Sequence, residues 1–385
     1  MYSCDMFCRV IDNFGDAGIA WRLAKSLTAE KHWRVRLIID DAATLSSLVP
    51  DIDPALALQT CEGILVTRWD AAFEAAAGSP QTVADIVIEL FSCFLPERYE
   101  AAIDAALKTR PVAVAALDYL TAERYAEESN GLLSPHPRYG YAKIFLFPGF
   151  TQRTCGVIYE AGLRQRGDAF EKTQAARALK KRLGCDPDHP MTLYYFTYPE
   201  MPAAAFAREV ALDPRPLQIL AAPGRATEML AAELARLKAP HVRLVRAPMV
   251  PQSEFDALLM ACDACLVRGE DSTLRAQLAG RPLIWTLYPQ KDDIHLDKLA
   301  AFARLYGAAI REAPGNEGET GAGAAAAWQA LEERINFSGA QTLGWSSWRD
   351  ALEPLRRGAR HWRETLFSQT SLTERIAQTL EKKLE

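Results

Sequence analysis

The sequence lacks the features that mark a membrane protein or a general nucleic-acid-binding protein. No apolar run among its 385 residues reaches the roughly 18 residues that are needed to span a bilayer. Positive charge is not in excess, because 44 Lys and Arg residues stand against 49 Asp and Glu residues, a formal net charge of −5. A chain without a basic excess does not neutralise a phosphate backbone, so we expect neither nucleic acid nor a membrane as a partner.

We also expect no secretion signal. The first ten residues contain Asp5 and Arg9 within a stretch that a signal peptide would keep apolar, and they carry neither a basic leader nor a cleavage signal. We therefore expect a cytoplasmic protein. The eight cysteines agree with this compartment, since most lie in apolar runs and are predicted to be small buried side chains rather than disulfide partners.

Residue spacing typical of a metal site is scarce as well. Cys262 and Cys265 form a CxxC, but no second CxxC and no nearby histidine pair completes a set of four zinc ligands. Asp51 and Asp53 lie in a loop bounded by prolines, which predicts solvated surface rather than a metal-binding pair. We therefore predict no metal site, and we expect no cofactor.

What the sequence contains is the composition of two folded α/β domains. Its length exceeds what one hydrophobic core usually fills, and 49% apolar with 24% charged residues argues against broad disorder. In both halves, short apolar runs alternate with segments of helical spacing, which predicts parallel sheets covered on both faces. Ligands of such sheets bind beyond the carboxyl ends of the strands, so the informative residues should follow strands.

The predicted elements follow this alternation. Strands are predicted at residues 6–11, 35–39, 86–90, 112–117, 144–147, 193–196, 217–221, 242–245, 264–267 and 283–286. Helices are predicted between many of them, including residues 19–27, 71–77, 99–107, 206–211, 227–237, 254–261, 273–279 and 296–306. Residues 171–183 are predicted as a helical connector, and the Gly- and Ala-rich residues 314–327 as a mobile surface loop.

The first motif that carries chemistry is DNFGDAG, residues 12–18, between the first predicted strand and the first predicted helix. Its glycines let the backbone approach a ligand closely, and its two carboxylates are Asp12 and Asp16. The dinucleotide fingerprint GxGxxG is absent, and Asp16 would repel a pyrophosphate, so a catalytic base or a cation-binding group is the better interpretation. The alternative is that Asp16 only caps the helix and Asp12 is an ordinary turn residue.

The second motif is RGEDST, residues 268–273, directly after a predicted strand. Asp271 and Ser272 are expected to open the next helix. The first backbone N–H groups of that helix, with the Ser272 hydroxyl and the Arg268 guanidinium, can hold a diphosphate. Glu270 is then expected to be free to accept hydrogen bonds from sugar hydroxyls. The alternative is a helix cap surrounded by surface charges.

Two other strand ends carry candidate ligand-binding side chains. The Gln252 amide can hydrogen-bond a pyrimidine edge on which Phe255 stacks, although Gln252 is equally interpretable as a solvated cap and Phe255 as core. Phe196 and Tyr198, at the end of another predicted strand, are expected to face the ligand. Most aromatic residues in such runs are core residues, which is the alternative for this pair.

In chain order these patterns are DNxGDxG, FxYP, PQxxF, RGEDS and PQKDDIH, the last at residues 289–295. The series resembles the EarP family, the protein-arginine rhamnosyltransferases that modify bacterial translation elongation factor P. The resemblance covers nearly the whole chain, from DMFCR at residues 5–9 through the final helices. The first motif and RGEDS are its distinctive parts.

The resemblance implies a fold, a donor and an acceptor. The fold is the α/β GT-B glycosyltransferase architecture, two Rossmann-like domains facing a cleft. Residues 1–170 are expected to form the acceptor-side domain, residues 171–359 the nucleotide-sugar-binding domain, and helices at about 360–385 to pack back on the first. The implied reaction is a metal-independent, inverting transfer from dTDP-β-L-rhamnose to one arginine nitrogen of elongation factor P. The modification is expected to activate that factor for the rescue of ribosomes stalled at polyproline.

The resemblance also assigns residues, position by position. Asp16 and Asp12 match two essential aspartates, and we expect Asp16 to take the proton while Asp12 orients the loop or the acceptor. An arginine nitrogen is a poor nucleophile with a pKa above about 12, so a carboxylate that orients it and accepts its proton suits the reaction. The residues expected to bind the donor are Asn13, Phe14, Gly15, Phe196, Tyr198, Gln252, Phe255, Arg268, Glu270, Asp271 and Ser272.

Two other functions stay open at this point. A GT-B enzyme with a lipid or small-molecule acceptor shares the donor site but needs an apolar or basic face for membrane docking. A net charge of −5, without a basic amphipathic helix, weighs against it. A non-catalytic nucleotide-sugar-binding protein would tolerate the loss of Asp16, whereas the enzyme should not.

Overall fold

The computed structural model describes residues 1–11, 14–171, 174–290, 294–337 and 339–385. These residues form two compact units. Unit 1 comprises Met1–Ala161 and Gln369–Glu385, and unit 2 comprises Gly162–Ser368.

The divisions differ from those expected after residues 170 and 359. The reason is a contact inside unit 2, where Arg363 donates hydrogen bonds to the Asp168 carboxylate at 2.8 Å and to the Arg164 carbonyl at 3.0 Å. Residues 162–170 therefore pack with unit 2, and so does the helix that carries Arg363.

Unit 1 is built around one mixed sheet. Its strands are β1 (Ser3–Cys8), β2 (Arg34–Ile39), β3 (Leu58–Cys61), β4 (Ile64–Arg68), β5 (Ile86–Leu90), β6 (Ala113–Leu117), β7 (Leu133–Pro135) and β8 (Ala142–Leu146). Its first helices are α1 (Phe14–Lys31), α2 (Ala42–Leu48), α3 (Ala71–Ala76), α4 (Glu97–Ala106) and α5 (Arg124–Ser129). In the described residues the strand order is β3-β4-β2-β1-β5-β6-β8-β7, parallel except for the pairs β3–β4 and β7–β8.

Unit 2 contains a second, all-parallel sheet. The chain continues through α6 (Leu163–Glu171), α7 (Gln174–Arg182), β9 (Thr192–Tyr195), α8 (Ala203–Leu212), β10 (Leu217–Ala221), α9 (Arg225–Leu237), β11 (Val242–Arg246), α10 (Gln252–Ala261), β12 (Ala264–Arg268), α11 (Glu270–Leu278), β13 (Leu283–Thr286), α12 (Ile294–Glu312), α13 (Glu319–Ile335), α14 (Trp345–Asp350) and α15 (Leu352–Phe367). It then returns to unit 1 with α16 (Leu372–Glu381). Over the residues that the structure describes, the strand order is β11-β10-β9-β12-β13.

Buried strands are where sequence and structure agree most closely. β5 and β6 are buried at every position, as expected for parallel strands covered on both faces, and β5, β10 and β13 have the predicted bounds. The prediction missed β3, β4 and β7, which lie at or near the sheet edges. Glu62 and Gly63, both with positive φ, form the two-residue turn that joins β3 to β4.

The expectation of a mobile loop at residues 314–327 is wrong. Helix α13 covers much of this segment, and Ala324 and Ala325 are buried in it. Alanine is the strongest helix former, so a Gly- and Ala-rich segment folds as a helix when it can pack. Gly321 allows the close approach, since a Cβ there would lie 2.2 Å from the Asn316 carbonyl oxygen.

Helix α13 also covers the open edge of β13. The Trp328 indole N–H donates to the Leu283 carbonyl at 2.7 Å, and the Trp285 amide donates to the Glu332 carboxylate at 3.0 Å. Asn336 accepts from the Leu287 amide at 2.7 Å. Four residues along a helix cover about the same distance as two residues along a strand. Side chains one helical turn apart can therefore form hydrogen bonds with the backbone groups that an edge strand would otherwise leave unpaired.

None of the described helices combines the length and the apolar character that a membrane span requires.

Candidate active site

Each sheet has a point at which the order of its strands reverses. In unit 1 the central strand β1 lies between β2 and β5, and in unit 2 the central strand β9 lies between β10 and β12. In open α/β sheets, ligands bind beyond the carboxyl ends of the strands at such a point. The candidate sites therefore follow β1 and β5 in one unit, and β9 and β12 in the other.

In unit 2, two aromatic rings hold the guanidinium of Arg268. Arg268 ends β12, and its Cζ lies 4.5 Å from the ring centroid of Phe196 and 4.9 Å from that of Tyr198. The Phe196 amide donates to the Leu266 carbonyl at 2.8 Å, which fixes the chain where it leaves β9. Cation–π contact orients the guanidinium while its planar N–H groups keep their direction. The structure thus brings together three residues that the sequence analysis had assigned to the donor.

Helix α11 begins directly after this guanidinium. Gly269 precedes the helix with φ of 65°, a left-handed conformation that favours glycine. The helix starts at Glu270 and not at residue 273 as predicted, so Asp271 and Ser272 belong to its first turn. The first N–H groups of a helix have no partner inside it, and together with Arg268 they suit an anion such as a diphosphate.

The expectation that Glu270 is free to accept sugar hydroxyls needs correction. Its carboxylate forms an ion pair with the ammonium of Lys298 on α12, and both side chains are largely buried. Lys298 also lies 5.6 Å from the ring centroid of Trp285. Lys298 was not predicted as a site residue, although it follows the PQKDDIH motif by three residues. Lys291, Asp292 and Asp293 of that motif lie outside the described residues.

Helix α10 presents the predicted base-recognition pair. It begins at Gln252, two residues before the predicted start, and Gln252 is buried. Phe255 is half-buried, with its ring centroid 5.9 Å from that of Tyr194 in an edge-on arrangement. Gln252 is thus not the solvated cap of the alternative interpretation.

An ion pair between a buried arginine and a half-buried aspartate joins α10 to α11. The Arg275 Nε donates to the Asp256 carboxylate at 2.6 Å, and a second guanidinium nitrogen bonds the other oxygen of Asp256. Arg275 is 1% exposed. This bidentate pair holds the helix of Gln252 against the helix of Asp271. This pair was not predicted from the sequence, in which Arg275 is the one charged residue of the predicted helix at residues 273–279.

In unit 1, Asp16 lies in the first turn of α1. The helix begins at Phe14, so Phe14, Gly15 and Asp16 are helical and not part of the predicted loop. The Asp16 carboxylate accepts a hydrogen bond from the Ile11 amide at 2.8 Å and is 1% exposed. It therefore braces the chain between β1 and α1. The predicted catalytic residue Asp12 and the predicted donor contact Asn13 lie outside the described residues.

The cysteines have the structural character that the sequence predicts. All eight are buried and free. Burial raises the pKa of the Cys265 thiol to about 12 and the pKa of the Cys262 thiol well above its usual value, so neither is a reactive thiolate. Among the described residues, no three His, Cys, Asp or Glu side chains are grouped as metal ligands would be.

Comparison with known proteins decides the family. The family model of elongation factor P (EF-P) rhamnosyltransferase EarP matches residues 4–381. The chain belongs to the EarP family. Its relatives include the protein-arginine rhamnosyltransferase of Pseudomonas putida, 38% identical over 78% of this chain and 81% of that protein. That of Neisseria meningitidis serogroup B is 32% identical over 99% of this chain and 97% of that protein.

A solved structure that explains EarP-mediated arginine glycosylation of translation elongation factor EF-P has a similar fold. It matches with a TM-score of 0.64 and 25% identity, over 99% of each chain. The predicted fold class is therefore confirmed: this EarP family member is an α/β protein of the GT-B glycosyltransferase architecture, with two Rossmann-like domains. Membership in the EarP family makes the chain a glycosyltransferase.

Proposed function

We propose that this chain transfers L-rhamnose from dTDP-β-L-rhamnose to an arginine side chain of bacterial translation elongation factor P. The observation that carries the proposal is the match to the EarP family over residues 4–381. The relatives are protein-arginine rhamnosyltransferases, and the similar solved structure concerns arginine glycosylation of EF-P. The site geometry supports the assignment of roles to residues.

On the donor side, the proposal assigns the diphosphate to Arg268 and to the first turn of α11. The guanidinium held by Phe196 and Tyr198, together with the N–H groups at Asp271 and Ser272, offers charge and directed donors for a dianion. The thymine base is assigned to Gln252 and Phe255, and the sugar to Glu270 in its ion pair with Lys298. Asn13, Phe14 and Gly15 are proposed to contact the donor as well.

On the acceptor side, the proposal assigns the proton to Asp16, with Asp12 orienting the loop or the acceptor. A guanidino nitrogen attacks the anomeric carbon, the bond to the diphosphate oxygen breaks with inversion, and the proton on nitrogen passes to the carboxylate. Arg268 and the α11 N-terminus stabilise the charge that develops on the leaving diphosphate, so the proposal needs no metal. The contact of Asp16 with the Ile11 amide adds a bracing role to this assignment.

The proposal has a cellular consequence. Rhamnosylated elongation factor P is expected to rescue ribosomes stalled at polyproline, and the reaction is placed in the cytoplasm, where that factor works. The direct partners are then the acceptor protein and dTDP-rhamnose, with neither nucleic acid nor a membrane taking part.

A transfer assay tests the proposal. dTDP released from dTDP-rhamnose is measured with elongation factor P, and with an acceptor variant whose candidate arginine is replaced by lysine. We expect release with the natural acceptor only, and no release from dTDP-glucose. Equal release with both acceptors would show that arginine is not the nucleophile.

A further inference from the structure

The loop after β5 in unit 1 has an unusual backbone. β5 is the parallel neighbour of β1, at the point where the strand order reverses. The loop after β5 therefore lies at the same end of the sheet as the start of α1, which follows β1. Phe91, Ser92 and Phe94 have φ of 54°, 53° and 51°, and none of them is glycine. Bulky residues rarely adopt this left-handed conformation, and it persists where the surroundings enforce it, often at functional sites.

Contacts on the inner side of the loop enforce this backbone. The Phe91 amide donates to the Leu117 carbonyl at 2.8 Å, and the Phe91 ring stacks on Tyr119 with centroids 4.5 Å apart. The Cys93 thiol donates to the Phe7 carbonyl at 3.3 Å, which ties the loop to β1. Phe91 and Cys93 are buried, whereas Ser92 and Phe94 are exposed.

The outward side of the loop presents an apolar side chain. Phe94 is 74% exposed, and Ile11, which follows β1 at the same edge, is 75% exposed. The loop thus holds an exposed phenylalanine on a backbone whose left-handed conformation is energetically unfavourable and is kept by its buried contacts. Such a rigid apolar surface is suited to binding a partner.

The surrounding charge favours a cationic partner. The neighbouring strands end in carboxylates at the same edge: Asp40 follows β2 and is exposed, and Asp118 follows β6 and is half-buried. Arg9 and Arg68 also follow or end strands here, but each forms an ion pair, with Glu74 and Asp70 respectively. Asp40 and Asp118 thus follow strands on the two sides of β5 in the strand order, and β5 is the strand before the loop that carries Phe94.

We propose that the loop Phe91–Phe94 binds the arginine-bearing segment of the acceptor protein, with Phe94 packed against residues that flank the acceptor arginine. The proposal rests on the proposed function, whose acceptor is an arginine. Phenylalanine offers a flat apolar face to an arginine stem or guanidinium, and the carboxylates of Asp40 and Asp118 at the same end of the sheet attract a cationic segment.

The test compares Phe94→Ala with Phe94→Tyr and with Leu58→Ala, which removes an exposed leucine from the far edge strand β3. We expect Phe94→Ala to raise the KM for elongation factor P by roughly 10- to 30-fold, as for an interface aromatic. The KM for dTDP-rhamnose should stay within about twofold of wild type, and Phe94→Tyr should restore most of the acceptor KM because it keeps the ring. Leu58→Ala should behave as wild type.

A second arm tests the charge. Asp40 accepts a hydrogen bond from the Val10 amide at 2.9 Å, and an asparagine keeps that acceptor oxygen. Asp40→Asn should therefore raise the acceptor KM by roughly two- to fivefold and weaken its dependence on salt, without a change in folding.

The outcomes separate this inference from the proposed function. A wild-type protein that transfers no rhamnose to elongation factor P overturns the proposed function. An active wild type with an unchanged acceptor KM in Phe94→Ala overturns only the loop assignment. Light scattering that shows Phe94→Ala to dissociate a dimer, with the acceptor KM unchanged, assigns the loop to self-association and also overturns the inference.

Discussion

At the scale of residues, donor binding is assigned above all to one guanidinium that contacts two aromatic rings. Arg268 combines a fixed position beside Phe196 and Tyr198 with a place next to the first turn of α11. A lysine would keep the charge but lose both the planar donor geometry and much of the ring contact. We therefore expect arginine to bind the donor better than lysine at this position.

Arg268→Ala and Asp271→Ala should both weaken binding of dTDP-rhamnose. For Arg268→Ala we expect roughly 10- to 100-fold, the worth of lost charge-assisted hydrogen bonds, with a smaller loss for Arg268→Lys. Isothermal titration measures the affinity, and Arg236→Ala, an exposed arginine on α9, is the matched control. An unchanged affinity in both variants would remove the diphosphate assignment.

Asp16→Asn should separate donor binding from turnover. The amide keeps an oxygen that can accept from the Ile11 amide, but it cannot take a proton. We expect donor affinity close to wild type while kcat falls roughly 100-fold or more, as for a lost general base. Single-turnover rates and donor titration on one preparation, with circular dichroism as the folding control, give the comparison. Transfer at the wild-type rate would move the base to Asp12.

Sequence motifs predicted which residues meet around Arg268, but not their ion-pair partners. Phe196 and Tyr198 follow β9, and Arg268 ends the adjacent strand β12, so strand assignment alone brings them together. The partners of Glu270 and Asp256 are 28 and 19 residues away on other helices. Such pairs depend on how helices pack, which the spacing of residues along one chain segment does not contain.

At the scale of elements, helix starts were the least predictable feature. α1, α10 and α11 begin two to five residues before the predicted positions, at Phe14, Gln252 and Glu270. Apolar periodicity detects the turns that pack on the sheet, whereas these first turns are polar or glycine-bearing. Candidate site residues lie in these turns, since the first N–H groups of a helix are the ones left for a ligand.

Glu332→Gln should change how stability depends on pH. Burial raises the pKa of the Glu332 carboxyl well above its usual 4.5. A carboxyl whose pKa is higher in the folded than in the unfolded protein increases the free energy of unfolding at pH values below the unfolded pKa. This contribution is lost as the pH rises from the unfolded pKa through the folded one. The glutamine side chain of the variant also has an oxygen that can accept the hydrogen bond of the Trp285 backbone N–H, but it has no charged form and so loses no stability as the pH rises. The variant should therefore gain stability relative to wild type as pH rises from 5 to 8.

Denaturant unfolding of both proteins at several pH values measures this difference. For one proton it grows by at most about 1.4 kcal/mol per pH unit. A constant difference across the pH range would mean that Glu332 is ionised in the folded protein.

At the scale of the whole molecule, the C-terminal helix α16 packs within unit 1, which also contains the N-terminus. In α16, Leu372, Ile376 and Leu380 are buried within unit 1. Lys31 pairs with Glu374, and the Trp33 indole donates to Glu381 at 2.9 Å. The sequence predicted that the last helices pack back on the first domain, and the structure places α16 there but leaves α15 with unit 2.

Deletion of residues 369–385 should destabilise unit 1. Three buried apolar side chains are worth about 1.5 to 3 kcal/mol each, a sum comparable to the stability of a domain. We expect a lower melting temperature and aggregation, whereas deletion of residues 383–385, which follow α16, should have little effect. Calorimetry of the two truncated proteins decides, and equal melting temperatures would contradict the role of α16.

The central claim is that this chain rhamnosylates an arginine of elongation factor P. Its most direct test is mass spectrometry of purified elongation factor P after incubation with this protein and dTDP-β-L-rhamnose. The account predicts a gain of one deoxyhexose, mapped by fragmentation to an arginine side chain and dependent on Asp16. An unmodified acceptor, or a deoxyhexose on any other residue type, would contradict it.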